Sequence, residues 1–120
     1  MGLKEYAPTR TFFGAVSISG AGGFYKGKTL GIKPGEVIKI GRDRDACVLL
    51  YPPGATEISR VHCILRADPG QNKVSVTDCS KNGTYLENGE RMEPGKEYFL
   101  ADGEGFYLAA KENSFIVRLM

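Results

Sequence analysis

Three side chains able to hold an anion lie beside predicted β-strands in separate parts of the chain. Arg42 follows one apolar run, Ser59 comes just before another, and Asn82 lies in a Ser-Lys-Asn-Gly turn between two β-prone runs. Asn-Gly flanked by such runs is the strongest short-range turn signal in a sequence. A guanidinium fork, a hydroxyl and a carboxamide can together bind a phosphate group and the peptide backbone next to it. We therefore interpret the three loops as one site.

The elements that must position these loops are short β-type runs separated by turn residues. The predicted strands are residues 11–19, 28–32, 37–41, 47–50, 61–67, 73–78, 84–86, 91–92, 96–100, 105–109 and 115–119. Nowhere do apolar residues keep a 3.6-residue period for a dozen positions, so no major helix is expected. The pattern predicts an all-β fold of two sheets packed face to face, and it leaves a barrel open as the alternative.

Length and composition fit a single globular domain. The chain has 120 residues, of which 42% are hydrophobic and 25% charged, and its net charge of +2 is too small to indicate a nucleic-acid or membrane partner. Residues 1–10 lack periodicity, so we expect a flexible tail or the remnant of a longer chain there, with the domain at residues 11–120. No apolar run is long enough for a membrane span, and no signal-peptide core is visible, so the expected location is cytoplasmic.

The three cysteines do not indicate a metal or redox site. Cys47, Cys63 and Cys79 cannot all pair, and no two of them have a C-x-x-C spacing. We expect them to be small buried hydrophobic residues in a reducing compartment. With a single histidine in the chain, no metal site and no cofactor is predicted.

In its ordered motifs the chain resembles the forkhead-associated (FHA) domain family. The matching residues are Gly41-Arg42, Ser59-Arg60-Val61-His62-Cys63 and Asp78-Cys79-Ser80-Lys81-Asn82-Gly83-Thr84, with weaker agreement in Asn88-Gly89-Glu90, Pro94-Gly95, Leu100 and Asp102-Gly103-Glu104. The resemblance extends over about residues 14 to 119. It implies a β-sandwich of about eleven strands in two mostly antiparallel sheets, with the binding loops at one end. It also implies a module without catalysis that binds threonine-phosphorylated protein segments in Ser/Thr kinase signalling.

The resemblance assigns phosphate binding to Arg42 and Ser59, and it assigns contact with the peptide backbone to Asn82. Arg60 is expected to be a second cation for the phosphate. Lys81 and Thr84 are expected to contact the peptide or to shape its loop.

Three further residues of the motifs are expected to support the site structurally. Gly41 would let the Arg42 loop turn away from its strand. His62 would brace the Arg42 and Ser59 loops through hydrogen bonds. Gly83 would supply a positive φ in the turn. His62 and Cys63 are adjacent on a predicted strand and point to opposite faces, which excludes a Cys–His catalytic pair there.

Each member of the site also has a plain structural interpretation. Arg42 opens an Arg-Asp-Arg-Asp run and can be a solvated charge, Ser59 can be a strand-entry cap, and Asn82 can be a residue that tolerates the turn. The ordered combination favours phosphate binding. The alternative function is an FHA-fold scaffold that joins partners without phosphate.

One stretch suggests a different class of protein. Residues 22–29 match the P-loop expression G-x-x-x-x-G-K-[ST], which would make Lys28 and Thr29 ligands of a bound nucleotide and its Mg²⁺. A P-loop needs a helix that starts at these residues. The continuation Leu-Gly-Ile-Lys-Pro-Gly cannot hold one, so we expect the match to be coincidental.

The chain departs from the usual FHA pattern in two places. Leu86 and Glu87 come before Asn88-Gly89, one residue more than is usual, and Pro52-Pro53 lie on the approach to Ser59. Neither departure involves a phosphate ligand. Both leave the preference for residues around the phosphothreonine open.

Overall fold

The computed structural model describes residues 16–68, 70 and 72–119. These residues form ten β-strands and one 3₁₀ turn. The strands are β1 (Val16–Gly20), β2 (Thr29–Gly31), β3 (Val37–Gly41), β4 (Leu49–Leu50), β5 (Cys63–Asp68), β6 (Lys73–Asp78), β7 (Thr84–Leu86), β8 (Glu97–Leu100), β9 (Gly105–Leu108) and β10 (Ser114–Leu119), and the 3₁₀ turn is Gly23–Tyr25. The prediction of an all-β fold without a major helix is confirmed.

The strands form two five-stranded sheets packed as a sandwich. Sheet I has the order β2-β1-β10-β9-β7, and sheet II has the order β4-β3-β5-β6-β8. Every pairing between these strands is antiparallel except β3 with β4. The sandwich is therefore the correct choice between the two architectures that the strand pattern left open.

The core lies between the sheets and follows from the two-residue period of the strands. In β5, Cys63, Leu65 and Ala67 are buried and alternate with half-exposed residues. The largest fully buried side chains include Tyr25 and Tyr51, whose rings meet edge to face with centroids 5.3 Å apart. Burying an apolar side chain of this size contributes on the order of 2 kcal/mol. This packed interior gives the loops a rigid base.

Some predicted elements differ from the observed ones. Residues 91–92 do not form a named strand, because Arg91 makes only an isolated bridge to Tyr85. The predicted loop at residues 20–23 runs into the 3₁₀ turn, which the sequence pattern did not indicate. Ten strands are present in the described residues instead of about eleven. The predicted tail and residues 11–15 of the first predicted strand lie outside the described part of the chain.

The strand directions bring the loops of interest to one end of the sandwich. β3 ends at Gly41 beside the start of β5, and β6 ends at Asp78 beside the same start, because neighbouring antiparallel strands reverse direction. β7 then begins at Thr84, next to the end of β9. Within the described residues, no helix is long and apolar enough to cross a membrane.

Candidate functional site

The Arg42 and Ser59 loops are held together by a close backbone crossing at Gly41. A Cβ atom at Gly41 would lie 2.2 Å from the carbonyl oxygen of Arg60 and 2.8 Å from that of Ser59. The amide of Arg42 donates to the Ser59 carbonyl at 3.1 Å. Gly41 is not among the glycines with positive φ, so its backbone conformation does not by itself require glycine. It is required because a side chain would push the two loops apart.

Arg42 is half-buried, and a backbone carbonyl group of the neighbouring loop orients its guanidinium group. Its Nε donates to the carbonyl of Ile58, and the two terminal nitrogens have no partner among the described residues. The guanidinium fork is therefore oriented by one hydrogen bond and keeps four donors for a ligand. Arg60 has 79% of its side chain exposed, and its terminal nitrogen lies 3.7 Å from the Asp43 carboxylate. Such an exposed ion pair is weak, which leaves Arg60 able to reorient toward an anion.

His62 connects the Ser59 loop to the Asn82 turn. The amide of Ser59 donates to Nδ1 of His62 at 3.0 Å, and Nε2 lies 2.8 Å from the carbonyl oxygen of Gly83. Because Nδ1 accepts, the proton must be on Nε2, which donates to Gly83. Burial lowers the pKa of His62, against the opposing effects of the Gly83 carbonyl and the nearby Asp78 and Glu57.

The expected bracing role of His62 is thus found, but with a different pair of loops. Its ring joins the Ser59 loop to the Asn82 turn, whereas only its backbone amide contacts β3, at the carbonyl of Ile40. The Arg42 loop is tied to the Ser59 loop by backbone hydrogen bonds.

Ser59 and Asn82 face each other across the two loops. The Ser59 hydroxyl oxygen accepts from the amide of Lys81 at 3.0 Å, so its own hydrogen remains available to a ligand. Asn82 is exposed, and its Nδ2 donates to the carbonyl of Glu57 at 3.0 Å. The second Nδ2 hydrogen and the side-chain oxygen can pair with the C=O and N–H of an extended peptide. Lys81 is exposed on the same turn.

Asp78 organises the Asn82 turn and was not singled out from the sequence. Its side chain is 1% exposed, and its Oδ1 accepts from the Ser80 amide at 3.1 Å, the Ser80 hydroxyl at 2.6 Å and the Thr84 hydroxyl at 2.8 Å. The Ser80 hydroxyl oxygen accepts in turn from the amide of Gly83 at 2.7 Å. A hint was present in the sequence, because Asp, Ser and Asn recur in turns whose side chains bond to the local backbone.

Thr84 belongs to this network and is 0% exposed. Its side chain cannot contact a peptide, so of its two expected roles only loop shaping fits the structure. Gly83 has φ of +99°, as expected for the turn, and an added Cβ would lie 2.8 Å from Nε of Arg91. Arg91 packs there and donates to the Lys81 carbonyl at 3.2 Å.

The structure does not have the helix that the P-loop match requires. Residues 29–31, where a P-loop requires a helix, form strand β2, so the backbone cannot direct a helix N-terminus at a nucleotide phosphate. In the described part of the chain no group of three His, Cys, Asp or Glu side chains could hold a metal ion. Cys47 and Cys63 are buried as expected, but Cys79 is exposed next to the Asn82 turn.

Comparison with known proteins gives concordant results. A sequence model described as the FHA domain matches residues 38–109. The meiosis-specific serine/threonine-protein kinase MEK1 of Saccharomyces cerevisiae is 34% identical over 83 residues, which are 66% of this chain and 16% of the kinase. This chain thus spans about a sixth of that relative's length.

Solved structures with the same fold include FHA domains with bound peptides. The MEK1 FHA domain in complex with a phosphothreonine peptide of HOP1 is 25% identical, with a TM-score of 0.70 over 88% of this chain and 97% of that one. An FHA domain of an Arabidopsis thaliana protein is 27% identical, with a TM-score of 0.73 over 89% and 86%. The N-terminal FHA domain of S. cerevisiae Rad53p with a phosphothreonine peptide has the same fold at 15% identity, with a TM-score of 0.67 over 88% and 94%.

Proposed function

The chain belongs to the FHA domain family, and we propose that it binds threonine-phosphorylated protein segments at the loop end of the sandwich. The observation that carries the proposal is the meeting of Arg42, Ser59 and Asn82, which come from three separate loops. The loops are joined by the Gly41 crossing and by the His62 bridge. The MEK1 and Rad53p structures with phosphothreonine peptides support the same ligand class for this chain.

The phosphate would be bound mainly by Arg42 and Ser59. A phosphate monoester has a charge of about −1.5 to −2 at pH 7 and three strong acceptor oxygens. The terminal nitrogens of Arg42 match two of these oxygens, and the Ser59 hydroxyl can donate to the third. Arg60 adds a second positive charge from the rim. Each charge-assisted hydrogen bond of this kind contributes roughly 1.5–3 kcal/mol.

The peptide backbone would be positioned by Asn82, with Lys81 beside it at the rim. The Asp78 network holds Asn82 in place and does not contact the ligand. Preference for phosphothreonine over phosphoserine would come from packing of the γ-methyl group, and burial of one methyl contributes only about 0.8 kcal/mol. Discrimination beyond that value requires a shape-matched pocket in the bound state.

The proposal includes no catalytic step, cofactor or nucleic-acid partner. The kinase relative is consistent with a role in Ser/Thr kinase signalling. We propose that the phosphorylated segment lies on another protein or on a longer parent chain, with the cytoplasm as the proposed location. The activity and partners of that kinase belong to a protein several times longer than this chain.

Calorimetric titration with a degenerate threonine peptide pool, phosphorylated and unphosphorylated, tests the proposal. Wild type should bind only the phosphorylated pool. Arg42→Ala should weaken binding by at least ~2 kcal/mol, which is roughly thirtyfold. Arg44→Ala is the matched control, because Arg44 is exposed on the same loop and has no partner among the described residues. Full binding by Arg42→Ala would refute the assignment of Arg42, and absence of binding to both pools would favour the phosphate-independent scaffold.

A further inference from the structure

The outer face of sheet I contains a groove that the proposed phosphothreonine site does not use. Its floor is Gly105 on β9, which pairs with Ile116 on β10 and has no side chain to fill the space above it. The groove is lined by Ala21, Glu87, Gly105, Tyr107, Lys111 and Ser114, together with neighbouring residues of β9 and β10, and has a volume of about 230 Å³. We call it the β9 groove. A second cavity of about 200 Å³ continues it past Asn88 and Glu104 and shares Glu87 and Gly105 with it.

Glu87 places a carboxylate directly at the floor of this groove. Its Oε2 lies 3.4 Å from the position that a Cβ atom at Gly105 would occupy. The side chain is exposed and has neither a hydrogen bond nor an ion pair with the described residues. Glu87 is also one of the two residues that precede Asn88-Gly89 in the segment that is longer than usual for the family. The carboxylate is thus available to pair with a positive charge.

The wall of the groove is aromatic. Tyr107 stacks on Tyr85 with centroids 5.0 Å apart and an interplanar angle of 10°. On its other side, β10 places the small side chain of Ser114 opposite Tyr107. One ring face of Tyr107 is therefore covered by Tyr85, and the other borders the groove. Guanidinium groups stack well on such faces and pair with carboxylates in a planar fork.

The groove ends at a turn that contacts the proposed phosphothreonine site. Its upper rim carries Lys111 in the turn between β9 and β10. This turn contacts the Asn82 turn directly, because the amide of Ala109 donates to the Gly83 carbonyl at 2.9 Å. The groove is therefore positive at Lys111, on the side of the binding loops, and negative at Glu87, over Gly105. A segment with an acidic residue nearer the loops and a basic residue farther down would match this order of charges.

We propose that the β9 groove binds an arginine side chain of the same phosphorylated partner, with Glu87 as its ion-pair acceptor and Tyr107 as its stacking surface. Lys111 would favour an acidic residue of the partner on the loop side of that arginine. This inference rests on the proposed function and extends it to residues distant from the phosphothreonine. The path along β9 and the thickness of the sandwich each require about 10 Å, together roughly 20 Å, which an extended peptide covers in about six residues. A range of roughly four to nine residues from the phosphothreonine therefore brackets the expected position of the arginine.

The test is an arginine scan on the full 120-residue chain. A phosphopeptide that binds wild type is synthesised with Arg, Gln or Glu at each position from four to nine residues on either side of the phosphothreonine. The affinity ratio of the Arg peptide to the Gln peptide is measured for wild type, Glu87→Gln, Glu87→Arg and the control Glu90→Gln. Glu90 is an exposed carboxylate of the same turn that lines neither cavity. Because each ratio is taken within one variant, general effects of a substitution cancel.

We expect one position at which the Arg peptide binds about fivefold more tightly than the Gln peptide, both to wild type and to the Glu90→Gln variant. A gain of this size is typical of one exposed ion pair plus one cation–π contact. The gain should vanish in Glu87→Gln and decline with added salt. In Glu87→Arg, a glutamate at that position should become the favoured residue. If Arg improves binding nowhere, or if its gain persists in Glu87→Gln, the groove inference is refuted while phosphopeptide binding stands. If no phosphopeptide binds at all, both proposals fail.

Discussion

Acidification should destabilise this domain through one identifiable side chain. His62 is the only histidine among the 120 residues, and its ring is completely buried between the Ser59 amide and the Gly83 carbonyl. Adding a proton to Nδ1 would direct an N–H group at the N–H group of Ser59, 3.0 Å away. The hydrogen bond would be lost, and a buried amide would have no acceptor, which costs about 1–3 kcal/mol.

The sign and size of the effect follow from proton linkage. Burial lowers the pKa of His62 below its ordinary value of 6.5, so below that pH the unfolded chain binds a proton that the folded chain resists. The contribution of neutral His62 to the free energy of unfolding is therefore fully present above about pH 6.5. It is lost as the pH falls from there toward the lowered pKa of the folded state. One proton changes the free energy of unfolding by at most about 1.4 kcal/mol per pH unit. Between pH 7.5 and 5.5 the free energy of unfolding should decrease by up to about 1.4 kcal/mol.

Urea denaturation at pH 7.5, 6.5 and 5.5 measures this decrease, with His62→Gln as the control. Glutamine can still donate to the Gly83 carbonyl but does not titrate, so its stability should be nearly flat over this range. The range stops above the pH at which ordinary carboxylates take up protons. NMR titration of the single histidine in the folded protein gives the pKa directly. A midpoint at or above 6.5, or equal pH slopes for wild type and His62→Gln, would refute the reasoning.

Two further substitutions test other parts of the site. Asp78→Ala removes the acceptor of three hydrogen bonds beneath the Asn82 turn. It should therefore lower the free energy of unfolding by at least about 2 kcal/mol and weaken phosphopeptide binding. Asp78→Asn keeps one acceptor oxygen and should lose less stability. A change under about 0.5 kcal/mol in denaturation of Asp78→Ala would contradict this. Lys28→Ala should leave stability and phosphopeptide affinity unchanged, because Lys28 is exposed before β2; nucleotide binding that disappears with Lys28 would instead revive the P-loop.

Much of the fold could be predicted because its signals are local. The two-residue period of apolar side chains and the Gly, Pro and Asn turns predict strands wherever one face is buried, and the predicted bounds of β3, β6 and β7 agree with the structure. The choice between a sandwich and a barrel does not follow from local signals. It depends on which strands pair, and the sequence pattern alone supports both closures.

By itself, the sequence identified the residues proposed to bind the phosphopeptide, Arg42 and Ser59 for the phosphate and Asn82 for the peptide backbone, because an ordered motif identifies residues without coordinates. Only the tertiary structure decided how they are held. Thr84 is buried under the turn, His62 joins Ser59 to Gly83, and Gly41 is needed for a backbone crossing, because each of these contacts joins segments far apart in the chain. The position of Glu87 over Gly105 is of the same kind. Strand register sets such contacts across a sheet, and no local pattern encodes the partner.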